Sequence, residues 1–113
     1  MRFVLRSKIH RATITDTSPD YVGSITIDAD LIEKSGLWNG EKVLVGDITN
    51  GARFETYVVT GKRGSGTVCV NGAAAHLVKK GDFVIIMGFE LTDKPIDAKK
   101  VLVDAKNKFV RFM

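Results

Sequence analysis

The chain has one cysteine, Cys69, in 113 residues, which excludes an internal disulfide and fits a reducing compartment. Cys69 sits in an apolar run, where a thiol reads as a small packed side chain. No apolar stretch approaches the roughly 20 residues a membrane helix needs. The longest, Phe83 to Phe89, contains Gly88 and suits a buried strand. Met1 to Arg6 is too short and too soon charged for a signal peptide, so a cytoplasmic protein with no membrane partner is expected. Aromatic residues make up 8% and offer no stacking platform for single-stranded nucleic acid. Charge excess is also small, at +4, and the lysines are spread along the chain rather than blocked into a tail. No Cys/His spacing suits a metal, no Walker-type loop is present, and no Ser-His-Asp order stands out.

What the chain does have is many short β-rich runs punctuated by glycine and asparagine. Strands are expected at Phe3–Leu5, Lys8–Thr15, Ser24–Ile27, Lys42–Ile48, Arg53–Thr60, Val68–Val70, Phe83–Phe89, Val101–Val103 and Phe109–Phe112. Turn chemistry at Asn39-Gly40, Asn50-Gly51, Gly61 to Gly66 and Asn107-Lys108 separates them. Asp28 is a good cap for a helix over Ala29–Ser35, with Gly36 as its stop. A second short helix follows Asn71-Gly72, and Thr92–Lys99 reads as a loop. The length suits one domain, residues 1–113, and many strands with little helix point to a small mainly β barrel.

Four segments can carry chemistry. Gly23-Ser24 enters a strand, and a serine hydroxyl there can attack the carbonyl one residue back if glycine lets the bond be held strained. A lone Gly-Ser is far more often a turn; the second copy, Gly64-Ser65, has the look of a hairpin tip. In Lys8-Ile9-His10-Arg11, alternation puts Lys8 and His10 on one face and Ile9 and Arg11 on the other. The first pair can grip a carboxylate or be an exposed strand face. In Arg53-Phe54-Glu55-Thr56-Tyr57, the residues Arg53, Glu55 and Tyr57 share a face, as an anion clamp with a phenolic proton donor or as a surface cross-strand pair. In Asn71-Gly72-Ala73-Ala74-Ala75-His76, small residues let the backbone approach an anion or simply make a tight turn.

Taken together, these stretches resemble the pyruvoyl-dependent aspartate 1-decarboxylases, which make β-alanine for pantothenate synthesis. The resemblance rests on Lys8 to Arg11, Tyr21 to Ser24, Ile48 to Tyr57, Arg63 to Ser65, Val70 to His76 and Gly81 to Ile86, in family order. Residues 90–113 carry no motif that matches, and Gly46 stands where some members have a tryptophan nearby. The resemblance implies a six-stranded double-psi β-barrel with short helices, in a homotetramer with active sites between subunits. It implies self-cleavage between Gly23 and Ser24 into residues 1–23 and 24–113. Ser24 then becomes a covalent pyruvoyl group, with no metal and no pyridoxal phosphate. Tyr57 is the implied proton donor and L-aspartate the substrate. Lys8, His10, Arg53, Thr56, Gly72, Ala73 and Ala74 are implied substrate contacts, and Thr56 and Asn71 serve maturation.

A clamp on the carboxylate that leaves would favour the ground state, so Arg53 is assigned the retained one, with Lys8 assisting. Parity sets Thr56 away from Arg53 and Tyr57, so its expected role is a hydrogen bond to the Gly23 carbonyl during self-cleavage. Two other readings stay open from the residues. One is a basic β-barrel module binding nucleic acid or a protein through Arg2, Arg6, Lys8 and Arg11; the other is an uncut, non-catalytic homologue.

Overall fold

The computed structural model describes residues 1–113 as nine strands, one α-helix and one 3₁₀ helix. The strands are β1 (Arg2–Thr13), β2 (Asp16–Ser18), β3 (Ser24–Asp28), β4 (Lys42–Asp47), β5 (Arg53–Gly61), β6 (Val68–Asn71), β7 (Phe83–Thr92), β8 (Lys99–Val103) and β9 (Phe109–Phe112). Helix α1 spans Ala29–Ser35 and the 3₁₀ helix Gly72–Leu77. Period-two alternation fixes which way each strand faces. Ile25 and Ile27 of β3, Val43 and Val45 of β4, Val58 of β5, Val68 and Val70 of β6, and Val84 and Ile86 of β7 all point into the core.

The strands run in the order β2-β6-β3-β5-β4-β7-β1-β8-β9. The mainly β expectation holds; the count of six does not, because β8 and β9 extend the sheet beyond β1 and a short β2 caps β6. No ladder joins the two ends of that order. Chain continuity instead links β1 to β2: the chain leaves β1 through Ile14 and Thr15, Thr15 N–H donates to Val68 O at 2.8 Å, and β2 pairs with β6.

Two strands expected near the N-terminus are one. β1 continues through Arg6 by an irregularity between Leu5 and Ser7. A second irregularity lies between Ile9 and Ala12, where Arg11 adopts φ 62°. An extra residue in one strand re-aims the side chains around it. Arg11 therefore does not follow Ile9 inward; it is exposed, with its guanidinium 4.6 Å from the Phe83 ring centre.

Helix α1 starts and stops where its ends predict. Asp28 accepts from Asp30 N–H at 2.9 Å, and Gly36 closes the helix at φ 77° with its N–H on Ile32 O. Asp28 also holds the turn between β5 and β6, accepting from Gly64 N–H at 3.0 Å and Gly66 N–H at 2.8 Å; this is not the expected hairpin tip, because β3 lies between the two strands. Gly64-Ser65 is thus an exposed turn, with Ser65 Oγ donating to Lys62 O.

Candidate active site

Ser24 opens β3 and is only 2% exposed. Its cross-strand partner is Asn71, the last residue of β6, and Asn71 Nδ2 donates to Ser24 Oγ at 2.8 Å. Because Ile25 and Val70 point inward on these strands, Ser24 and Asn71 share the outward face, with Thr26 and Cys69 in the next row. The residue after Asn71 closes on Gly23, the residue before Ser24. A Cβ added to Gly72 would lie 2.6 Å from Gly23 Cα and 2.9 Å from Gly23 N, and Gly72 has φ 76°. Only glycine meets both conditions, so the start of the 3₁₀ helix rests on the Tyr21–Gly23 segment that leads into Ser24.

Gly23 itself differs from expectation. Its φ lies outside the left-handed region, and an added Cβ would meet only Asn71 O, at 4.0 Å. No left-handed strain is stored there; the glycine that packing demands is the neighbour across the sheet. Ala73 is exposed and Ala74 half-buried beyond it.

β5 lies on the other side of β3, in parallel register with Ile25 opposite Val58. One residue earlier on both strands sets Tyr57 beside Ser24 on the outward face. Tyr57 is 40% exposed. Arg53 and Glu55 share that face, as parity predicts. Lys42 on β4 takes up the Glu55 carboxylate at 2.6 Å, and none of the chain's ion pairs uses Arg53, Lys8 or His10. The Arg53 guanidinium lies over Gly46, Nη1 being 3.7 Å from where a Cβ would stand. Thr56 points the opposite way, half-buried between Phe54 and Val58, and its hydroxyl makes no hydrogen bond to the Gly23 carbonyl in the uncut chain.

Lys8 and His10 are not brought to this cluster. Lys8 pairs with Met87 of β7, Met87 with Leu44 of β4, and Leu44 with Glu55 of β5. Three strand spacings, on the order of 14 Å, therefore separate Lys8 from the β5 side chains within one chain. His10 is half-buried, with Nδ1 buried and unpartnered. Burial first, then the charges of Lys8 and Arg11, hold its imidazole below the ordinary value of 6.5, so it is neutral at pH 7. It can offer a hydrogen bond, not a second positive charge. Of the other basic N-terminal residues, Arg6 is already paired with Glu41.

Sequence reasoning missed two residues here, Thr26 and Cys69. Asn71 Nδ2 also donates to Thr26 Oγ1 at 3.1 Å, and Cys69 Sγ donates to Asn71 Oδ1 at 3.3 Å. The signal was available: in Val68-Cys69-Val70-Asn71 the valines face in, so the thiol and the amide share the outer face. No three His, Cys, Asp or Glu side chains converge as a metal ion would require.

A family model described as aspartate decarboxylase matches residues 1–110, beyond the point where motifs could be followed by eye. An aspartate 1-decarboxylase of Corynebacterium efficiens is 59% identical over 97% of this chain and 84% of its own length. Those of Neisseria meningitidis and Acetivibrio thermocellus are 55% and 53% identical, each over 95% of this chain and 87% and 88% of their own lengths. With identity at that level over nearly the whole length, the chain belongs to the aspartate decarboxylase family.

Proposed function

We propose that this protein decarboxylates L-aspartate to β-alanine and CO₂, supplying pantothenate synthesis, through a pyruvoyl group made by cutting its own Gly23–Ser24 bond. The observation that carries the reading is the buried Ser24 hydroxyl, held by Asn71 next to Gly23, the residue on which Gly72 rests. In the cut, Ser24 Oγ attacks the Gly23 carbonyl carbon and the C–N bond breaks, giving an ester and a free amine. Loss of the Ser24 Cα proton expels Oγ with the Gly23 carboxylate. One water then replaces the amine nitrogen, which leaves as ammonia. Asn71 Nδ2 is set to donate to Oγ as it takes up negative charge. Thr56, on the core side of β5, is read as the donor to the Gly23 carbonyl oxygen once that carbonyl is attacked.

The pyruvoyl group, at the position Ser24 now fills, supplies an electron sink for loss of the α-carboxylate. Tyr57, next to Ser24 by register, delivers the proton that replaces CO₂. Arg53, with no carboxylate partner of its own, binds the carboxylate that is kept, because binding the departing one would hold back the reaction. Gly72, Ala73 and Ala74 bring main-chain N–H groups to the substrate at the opening of the 3₁₀ helix. Lys8 and His10 complete the site from a neighbouring subunit, in a homotetramer. Two observations support that assembly: the three-strand separation from Tyr57, and an exposed outer stripe of Phe3, Phe89 and Leu91 on paired β1 and β7. A double-psi barrel is supported by the passage of β1 into β2 described above, which makes a ring of the run β6-β3-β5-β4-β7-β1.

An intact-mass measurement tests the reading. Purified protein is expected to give fragments 1–23 and 24–113, the larger with a ketone at its new terminus, and to release CO₂ from L-aspartate. A folded, aged chain that stays whole would refute it. Arg53→Lys is expected to lower kcat/KM by roughly tenfold or more, since lysine lacks the paired N–H fork that matches a carboxylate. Unchanged kcat/KM in that variant would return the assignment to Lys8.

A further inference from the structure

We infer that Thr26 and Cys69 are positioning residues for self-cleavage, which hold the Asn71 carboxamide with its N–H groups turned toward Ser24 Oγ. The inference rests on the self-cleavage reading and adds to it the two side chains that orient the donor. An asparagine amide has two nearly isosteric orientations, and only one presents N–H to the serine. Both Nδ2 hydrogens are used here, on Ser24 Oγ at 2.8 Å and Thr26 Oγ1 at 3.1 Å, while Oδ1 receives the Cys69 thiol at 3.3 Å. Turned over, the amide would set N–H against sulfur, a poor acceptor, and would present a lone pair to Ser24 Oγ. The second orientation cannot donate to Oγ when Oγ departs with the Gly23 carboxylate.

The four residues form two cross-strand rows on one face of β3 and β6, Ser24 opposite Asn71 and Thr26 opposite Cys69. The arrangement is therefore built into the sheet register rather than into a loop. Cys69 is half-buried, and burial together with the Asp16 carboxylate pushes its thiol above the ordinary value of 9.0. It is an S–H donor at neutral pH, not a thiolate. The elimination step needs no more from either residue than this orientation.

The test follows the rate at which freshly folded, uncut protein converts to 1–23 and 24–113, by intact mass, in four variants. Thr26→Val keeps the shape of the side chain and removes the acceptor; Cys69→Ala removes the donor; Thr26→Ser and Cys69→Ser restore them. The first two are expected to slow cutting by roughly fivefold, the scale of one lost hydrogen bond, and the serine variants to return it to the wild-type rate. Thermal midpoints identify any variant that has not folded; if Cys69→Ala is one, Thr26→Val carries the test. A wild-type chain that cuts, with Thr26→Val and Cys69→Ala cutting equally fast, overturns the inference alone. So does a Cys69→Ser chain as slow as Cys69→Ala. A wild-type chain that never cuts overturns the self-cleavage reading, and the inference with it.

Discussion

At Gly23 and Gly72, two glycines face one another and only one of them is required by space. Gly72→Ala must place a Cβ 2.6 Å from Gly23 Cα on a backbone at φ 76°. The left-handed conformation alone costs a non-glycine residue roughly 1–2 kcal/mol, and the clash adds to it. Gly23→Ala meets only Asn71 O, at 4.0 Å, an ordinary contact. We therefore expect Gly72→Ala to lower the thermal midpoint by several degrees and to block cutting, while Gly23→Ala folds with a midpoint close to wild type. Differential scanning calorimetry with intact mass checks both. Thr56 gives a second contrast at this scale. Thr56→Ala is expected to fold and remain uncut; normal processing in that variant would leave the attacked carbonyl oxygen without its assigned donor.

At the scale of elements, Asp28 ties α1 to the turn between β5 and β6 through three backbone N–H groups. Burial would raise its pKa, but the N–H groups of Asp30, Gly66 and Gly64 and the charge of Lys108 outweigh burial and hold it below the ordinary 3.8. The unfolded chain thus takes up this proton first as pH falls. Stability from Asp28 is full above the ordinary carboxylate range and is lost as pH drops through the folded value. Asp28→Ala removes the acceptor of all three hydrogen bonds and is expected to cost roughly 2–4 kcal/mol at neutral pH. Urea unfolding of the variant is also expected to show a weaker fall in stability between pH 5 and pH 3, a window taken from linkage at ordinary carboxylates. The α1 boundaries were legible because cap and stop chemistry is local: Asp28 and Gly36 announce themselves in sequence. The β1 irregularity was not, because nothing in Lys8-Ile9-His10-Arg11 marks an extra residue. Only pairing with β7 reveals that Ile9 and Ala12 both face inward, so one position between them must be skipped.

For the whole molecule, the three-strand distance between Lys8 and Tyr57 makes a sharper test of the proposed site than any single substitution. Lys8 and Tyr57 lie three strands apart in one chain. Subunits carrying Lys8→Ala and subunits carrying Tyr57→Phe, each nearly inactive alone, are expected to recover activity when produced together. With equal amounts and random assembly, about a quarter of the sites combine a normal Lys8 with a normal Tyr57. Activity no greater than the mean of the two parents would mean that each chain supplies its own Lys8. Sequence singled out Ser24, Tyr57 and Asn71, the candidate residues of β3, β5 and β6, since each sits within a short motif. It could not supply the distance between Lys8 and Tyr57, which depends on β4 and β7 lying between β1 and β5.

The passage of β1 through Ile14 and Thr15 into β2 has a consequence for the fate of the two pieces. A cut after Gly23 leaves a 1–23 peptide that is hydrogen-bonded to β7 and β8 along one part of its length and to β6 along another. Such a peptide is a stave of the wall, not a discarded leader. A protein cut there is therefore expected to sediment and melt as one body. Once denatured, it must find its lost partner in solution, so its recovery should depend on concentration where that of the unbroken chain does not.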